Sequence, residues 1–371
     1  MKIAMIISTP FPPEEGIGNH VYNLSKKLIE RGYEITVITR GSLRTTQVST
    51  LDGIKVIKVP FIPTYPFHVN IHGFFVNRLL KSLDNEFDIV HIHTPLTPVI
   101  KTSIPVVSTI HTSLIEDARY IEAVDFKSLA IKALTKFVSY PLVSNLIKAS
   151  DVVTTVSNSV AQELKEYYGV NKPVIVGNGV DENTFKAKNG EKDEHYILYV
   201  GRLSYRKGLF DLLNCAEQIC EVYDVQFILV GKGEFEKTLR KRVKEIGLEN
   251  KVIFLGYVER EKLIKLYQNA VLLVIPSYYE SGPLVLLEAM SCGTPVVSTP
   301  VGIAPEIMEK KKNGILIPLK SPKKMAEAIS ILIEDDKLRR KLGNNARKTI
   351  ERGYTWDSVT DRVENCYKSA E

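Results

Sequence analysis

A chain of 371 residues is longer than one hydrophobic core usually serves, so two domains are expected. Hydrophobic residues at 44% and charged residues at 25% are the balance of an ordinary globular protein, and the lack of any eighteen-residue apolar run argues against a membrane-spanning helix. The net charge of +6 suits phosphate-bearing ligands or an anionic surface but gives no case for nucleic acid, while four scattered cysteines (Cys215, Cys220, Cys292 and Cys366) without a CxxC pair read as reduced thiols.

The N-terminus, MKIAMIISTPFPP, has one lysine and a short apolar run with no small-residue cleavage site. It reads as a buried first strand, Lys2–Ser8, rather than a signal peptide, and the protein is expected to stay in the cytoplasm. A helix follows from about Asn19 to Arg31, with Val21, Leu24, Leu28 and Ile29 on one face and Gly32 as its C′ residue. Further strands are predicted at Glu34–Thr39, Ile54–Val59, Asp88–Ile92, Pro105–Ile110 and Asp151–Val156. The stretch Lys186–Glu194 is polar, charged and aperiodic, and reads as a linker. Beyond it come strands Tyr196–Val200, Val225–Val230, Lys251–Leu255, Val271–Ile275 and Pro295–Ser298. The last element is an amphipathic helix, Tyr354–Ala370, carrying the only tryptophan, Trp356. Several strands are nearly continuous apolar runs, as expected when both faces of a parallel sheet are covered. The fold class is therefore α/β: two Rossmann-like, doubly wound domains, 1–188 and 189–353, with the final helix 354–371 packing back on the first. Ligands in such sheets bind beyond the carboxyl ends of the strands, so two facing sheets would hold both substrates in a cleft.

Three segments carry candidate chemistry. In Tyr279–Met290 (YESGPLVLLEAM), Ser281 is a candidate N-cap and Pro283 a first-turn proline. The free N–H groups from Gly282 through Leu284 and Val285 to Leu286 would form an anion site suited to a diphosphate. Glu280 and Glu288 flank it, roughly 10–12 Å apart along the chain. Carboxylates there make poor phosphate ligands but good acceptors for hydroxyls, on a sugar at one end and a ribose at the other. Alternatively, the segment is a capped helix with two solvated glutamates. In Gly201–Gly208 (GRLSYRKG), after a strand, Arg202 offers a planar fork and Lys207 a point charge for phosphate oxygens; a solvated turn is the competing reading. In Pro12–His20, Gly16 and Gly18 let backbone approach a ligand, with a simple tight turn as the competing reading; the pattern is not GxGxxG, so a nicotinamide dinucleotide is poorly supported.

The histidines raise the question of a metal. His91 and His93 alternate along a strand end and share a face, and His111 also ends a strand. No carboxylate motif completes a ligand set, so no metal is expected and His111 is read as a polar cleft residue. His68 and His72, in an aromatic-rich connection, read as packing residues. The segment Lys127–Ala149 is apolar and basic without an acidic residue. It suits either an anionic membrane surface that admits a lipid acceptor or a core helix with snorkelling lysines.

Together these residues resemble the retaining glycosyltransferases of family 4 (glycosyl transferases group 1), which have the GT-B fold. The resemblance spans nearly the whole chain. Its most specific piece is the EX7E segment Glu280–Glu288 followed by AMSCGTPVVST. GRLSYRKG at Gly201–Gly208, NGVDENTF at Asn178–Phe185, VGIAPEI at Val301–Ile307 and NGILIP at Asn313–Pro318 follow the family's order. The resemblance implies a metal-independent hexosyltransferase without cofactor, acting from a UDP- or GDP-type sugar on a glycan or lipid hydroxyl. It implies that Arg202 and Lys207 neutralise the diphosphate, that backbone near Leu284 and Val285 binds phosphate, that Glu288 holds the ribose and that Glu280 contacts the sugar. Gly16 would approach the diphosphate and His111 would lie beside the sugar. Two positions depart from the pattern: Glu15 precedes Gly16 where paired glycines are usual, with Gly18 a candidate substitute, and Ile303-Ala304 stands where a second glycine is common. Two rival functions fit the same fold. A sugar-nucleotide epimerase or hydrolase would consume donor without acceptor, and a silent binding module would bind donor without turnover.

Overall fold

The structure, a computed structural model, describes residues 1–13, 16–43, 45–64, 67–83, 86–95, 97–120, 139–188, 196–308 and 312–371. The chain divides into two compact units, Met1–Gly179 with Trp356–Glu371, and Val180–Thr355.

The first unit is built on β1 (Lys2–Ile6), β2 (Glu34–Arg40), β3 (Gln47–Leu51), β4 (Ile54–Val59), β5 (Ile89–Thr94), β6 (Val106–Ile110), β7 (Val152–Thr155) and β8 (Val174–Ile175). They form one sheet in the order β3-β4-β2-β1-β5-β6-β7-β8. Every pairing is parallel except β3 with β4. The two-residue period of a strand sends neighbours to opposite faces. Ile3 and Met5 thus join one core with Val21, Leu24 and Leu28 of the Gly16–Glu30 helix and Val359, Val363 and Tyr367 of the Trp356–Ala370 helix. Ala4 and Ile6 join the other, with Val76 and Leu80 of the His68–Ser82 helix. The final helix is tied to the first by Arg31, whose guanidinium donates to Asp361 and Glu364, each at 2.7 Å.

The second unit contains β9 (Tyr196–Val200), β10 (Gln226–Val230), β11 (Val252–Gly256), β12 (Leu272–Ile275), β13 (Val296–Ser298) and β14 (Ile315–Leu316). Its sheet is entirely parallel, in the order β11-β10-β9-β12-β13-β14. Ile197 and Tyr199 face a core with Leu212, Leu213, Met325 and Ile329, while Tyr196 and Leu198 face one with Leu286, Leu287, Ala346 and Ile350. In each sheet the earliest strand lies inside and the chain winds outward in both directions. The order reverses between β1 and β5 in the first unit and between β9 and β12 in the second. Those two crevices, at the strands' carboxyl ends, are where an open α/β sheet binds ligands.

Several elements differ from the sequence-based expectation. The exposed edge strand β3 is antiparallel and has no apolar run, and β8 and β14 have two residues each, so none gave a period-two signal. The first helix begins at Gly16 rather than near Asn19, with Gly18 buried against Pro13 and Gly16 exposed. Ser281 is not the N-cap of its helix: Pro283 takes that position with an extended ψ of 112°, and the helix runs Leu284–Ser291. The units part at Gly179/Val180, not at residue 188, since Val180 and Phe185 pack in the second unit's core. Residues 189–194 of the expected linker, Glu15, and 127–138 of the basic apolar segment lie outside the described residues. The rest of that segment includes a helix over 139–148, with Val143 and Leu146 buried. Among the described residues no helix is long and apolar enough to cross a membrane. All four cysteines are free, and burial pushes the Cys215 thiol up to about 12.

Candidate functional site

The second unit gathers the predicted residues at its switch point. The loop after β9 turns through Tyr205–Lys207 into Gly208, and the loop after β12 runs from Pro276 to Pro283. Tyr278 fastens the two loops, its backbone N–H donating to the Arg206 carbonyl at 2.8 Å and its hydroxyl to Asp211 Oδ2 at 2.9 Å. Gly208 has φ +66°, and a Cβ there would lie 2.0 Å from the Pro276 carbonyl oxygen. Only glycine combines that backbone with that approach. The result sets Lys207 Nζ 2.5 Å from Glu280 Oε1, with Ser277 Oγ donating to the same oxygen at 2.9 Å. The Lys207 and Glu280 side chains retain only 15% and 12% exposure, so this ion pair is largely withdrawn from water. Arg202 is exposed in the same loop, where its carbonyl accepts from the Tyr199 hydroxyl at 2.9 Å.

The Leu284–Ser291 helix starts beside this pair in sequence and has no side-chain cap. The first-turn N–H groups at Leu284 and Val285 therefore have no i−4 carbonyl within the helix. Gly282 lies two residues ahead of them and is partly open to solvent. One turn on, Glu288 Oε2 accepts from the hydroxyl of the fully buried Tyr267 at 2.8 Å. Some of the Glu288 residue surface is open, while its carboxylate lies deep among the unit's atoms. Burial raises its pKa above the usual carboxylate value, opposed by the Tyr267 hydroxyl and the Arg260 charge.

The first unit places its predicted residues at its own switch point. A Cβ on Gly16 would meet nothing within 4 Å, whereas one on Gly18 would press on Pro13 at 3.0 Å. Gly18 is thus a packing glycine, and Gly16 faces open space. His111, just past β6, is buried and pairs through Nε2 with His93 Nδ1 at 3.1 Å. Its ring lies edge-on to His20 at 4.7 Å, and His20 Nδ1 pairs with Asn178 Oδ1 at 2.9 Å. Burial holds His93 and His111 well below the usual imidazole range and His20 down at about 4, so all three rings are neutral at pH 7. His91 is committed elsewhere: Nδ1 meets the Tyr367 hydroxyl and Nε2 the Thr109 hydroxyl, each at 2.7 Å. Among the described residues the imidazoles close enough to share an ion are His20, His93 and His111, not the strand pair with His111. His72 is buried and pairs with Ser8 Oγ at 3.2 Å, and His68 packs edge-on against Phe61, both as packing residues.

Sequence reasoning missed Ser277, Tyr267, His20 and Asn178. Ser277 sits three residues before Glu280, a spacing that could have suggested the contact. Tyr267 stands 21 residues before Glu288, on the Arg260–Asn269 helix, and left no local signal.

The pattern described as Glycosyltransferase Family 4 matches residues 15–184, and that described as Glycosyl transferases group 1 matches residues 180–349. An uncharacterized glycosyltransferase of Methanocaldococcus jannaschii is 30% identical over 387 aligned residues, which cover 100% of this chain and 98% of the relative. Among solved structures, sucrose-phosphate synthase from Thermosynechococcus elongatus superposes with a TM-score of 0.84 at 22% identity, covering 99% of this chain and 98% of that one. The Anabaena protein HepE, solved in complex with UDP-glucose, superposes with a TM-score of 0.75 at 19% identity, covering 100% of both chains. With a full-length relative at that identity and both patterns in sequence, the chain belongs to the group 1 glycosyltransferases of family 4, with the GT-B fold.

Proposed function

We propose that this protein transfers a hexosyl group, with retention of anomeric configuration, from a UDP- or GDP-type nucleotide sugar to a hydroxyl on a glycan or lipid. The observation that carries the reading is the Lys207–Glu280 pair beside the uncapped Leu284–Ser291 helix at a sheet switch point. A cation, a hydroxyl acceptor and free N–H groups there are what a sugar diphosphate requires. The UDP-glucose complex of HepE supports a nucleotide sugar as donor.

In this reading Arg202 and Lys207 neutralise the diphosphate as the sugar–phosphate bond breaks, and the N–H groups of Leu284 and Val285, with the backbone at Gly282 close by, hold its oxygens. Glu280 accepts from a sugar hydroxyl, and Glu288 from the ribose. In the first unit, Gly16 leaves its backbone open to a ligand oxygen and His111 carries a neutral ring suited to a hydroxyl, whereas Gly18 is closed off by Pro13. The acceptor hydroxyl attacks the anomeric carbon on the face the diphosphate leaves, and its proton passes to a phosphate oxygen. The leaving charge is met by protein cations and N–H groups, so neither metal nor cofactor takes part. Peripheral contact with an anionic membrane would bring a lipid acceptor within reach, and co-sedimentation with anionic against neutral vesicles tests it.

A thermal-shift screen of UDP and GDP sugars, followed by transfer assays on an acceptor panel, tests the function. One nucleotide class should stabilise the protein, and the sugar should reach a hydroxyl with its anomeric configuration retained. Donor consumption without acceptor, or binding without any transfer, would replace this reading with one of the rival functions.

A further inference from the structure

We propose that Tyr267 is a positioning residue that sets the preference of this site for ribose, by fixing one oxygen of Glu288 and leaving the other to the nucleotide. The inference rests on the reading of Glu288 as the ribose ligand. A free carboxylate rotates and presents either oxygen. Here the Tyr267 hydroxyl donates to Oε2 at 2.8 Å, and among the described residues no hydrogen bond occupies Oε1. Oε1 is therefore the acceptor left for a ribose hydroxyl.

Tyr267 is itself held on several sides. It is fully buried, and the Phe185 ring packs edge-on against it at 6.2 Å. Its carbonyl accepts from Thr294 Oγ1 at 2.5 Å, and the Gln268 amide next in chain donates to the Lys186 carbonyl at 2.7 Å. Burial, then the Glu288 charge, holds the phenol well above its usual pKa, so it remains a donor across the working pH range. A hydroxyl that stays protonated and is packed on several sides is suited to orienting a carboxylate. It also stabilises the charged form of Glu288, which burial alone would disfavour.

The test is calorimetric and needs no acceptor. UDP and GDP are titrated into the full-length protein, and the tighter binder is compared with its 2′,3′-dideoxy counterpart. The native protein should prefer the ribo form by about tenfold or more, the size of a hydrogen bond to a charged group. Glu288→Ala should bring that preference close to unity. Tyr267→Phe should cut it by at least half its logarithm, and should move the acid limb of nucleotide binding to higher pH as the Glu288 carboxylate loses its donor. In the Glu288→Ala background Tyr267→Phe should change the preference no further. If Tyr267→Phe unfolds the protein, Tyr267→Met, whose flexible chain fills much of the space without a hydroxyl, takes its place. A preference that survives Tyr267→Phe or Tyr267→Met but collapses in Glu288→Ala overturns the role of Tyr267 and leaves the ribose reading standing. A preference unchanged in Glu288→Ala overturns the ribose reading and this inference with it.

Discussion

Replacing Lys207 by alanine separates a structural ion pair from a phosphate ligand. In the native chain Lys207 Nζ lies 2.5 Å from Glu280 Oε1, both side chains being under one-sixth exposed. Breaking a fully buried pair costs about 3–5 kcal/mol, because one charge is left stranded. Here Glu280 keeps the Ser277 hydroxyl at 2.9 Å and some solvent, which reduces the expected loss to about 1–3 kcal/mol. At about 2–4 °C per kcal/mol for a unit of this size, the midpoint should fall by roughly 3–10 °C. Glu280→Gln added to Lys207→Ala should recover much of that loss, since it removes the stranded charge. The nucleotide response is the discriminating measurement. At a nucleotide concentration about 100 times the native Kd, ligand stabilises by about 2.7 kcal/mol. A tenfold to hundredfold weaker complex leaves only about 1.4 to 0.4 kcal/mol at the same concentration. Differential scanning fluorimetry with and without UDP and GDP reads both effects. If Lys207→Ala melts early yet gains as much from nucleotide as the native protein, Lys207 is only a partner for Glu280.

Three further outcomes are expected. His20 and His72 are held from the usual 6.5 down to about 4, and His91 to about 3, chiefly by burial. Because their folded pKa values lie below the unfolded one, the stability they contribute is present above pH 6.5 and lost as pH falls toward 4, at about 1.4 kcal/mol per pH unit for each ring. All three are in the first unit, and Trp356 lies edge-on to His20 at 5.1 Å, so Trp356 emission should report acid unfolding between pH 6 and 4; emission unchanged down to pH 4 would contradict this. Gly208→Ala should destabilise by more than about 2 kcal/mol and abolish nucleotide binding, because neither its φ nor its contact with Pro276 admits a Cβ; a native melting curve for that variant would refute the turn's role. Nucleotide binding and transfer should be undiminished in excess EDTA, and a loss restored by a divalent ion would direct attention to His20, His93 and His111.

The alternation of apolar runs with amphipathic helices was legible because both faces of each sheet are buried, which makes strands such as YILYV and IVHIHT stand out. The short elements were not legible. An exposed antiparallel edge like Gln47–Leu51 takes its conformation from its neighbour β4, not from its own pattern. The helix starts failed because residue preference alone does not place them: Gly18 lies inside the first helix, buried against Pro13, and Pro283 takes the N-cap position expected of Ser281.

At the candidate site, legibility followed the strand ends. Arg202, Lys207, Glu280 and Glu288 could be singled out because each follows an apolar run, in the turn or helix that the run leads into. That Lys207 and Glu280, 73 residues apart, touch is a consequence of strand order. β9 and β12 become neighbours only because the chain goes out to β11 and returns, and no spacing within either loop encodes that. Tyr267 lies further from view, on a helix that precedes β12, where its residue type signals only core. The unsigned residue and the signed one nevertheless form a single unit: the motif supplies the carboxylate of Glu288, while a core tyrosine decides which oxygen it offers. Variation at position 267 should therefore alter the preference for ribose in a chain whose EX7E pattern is intact.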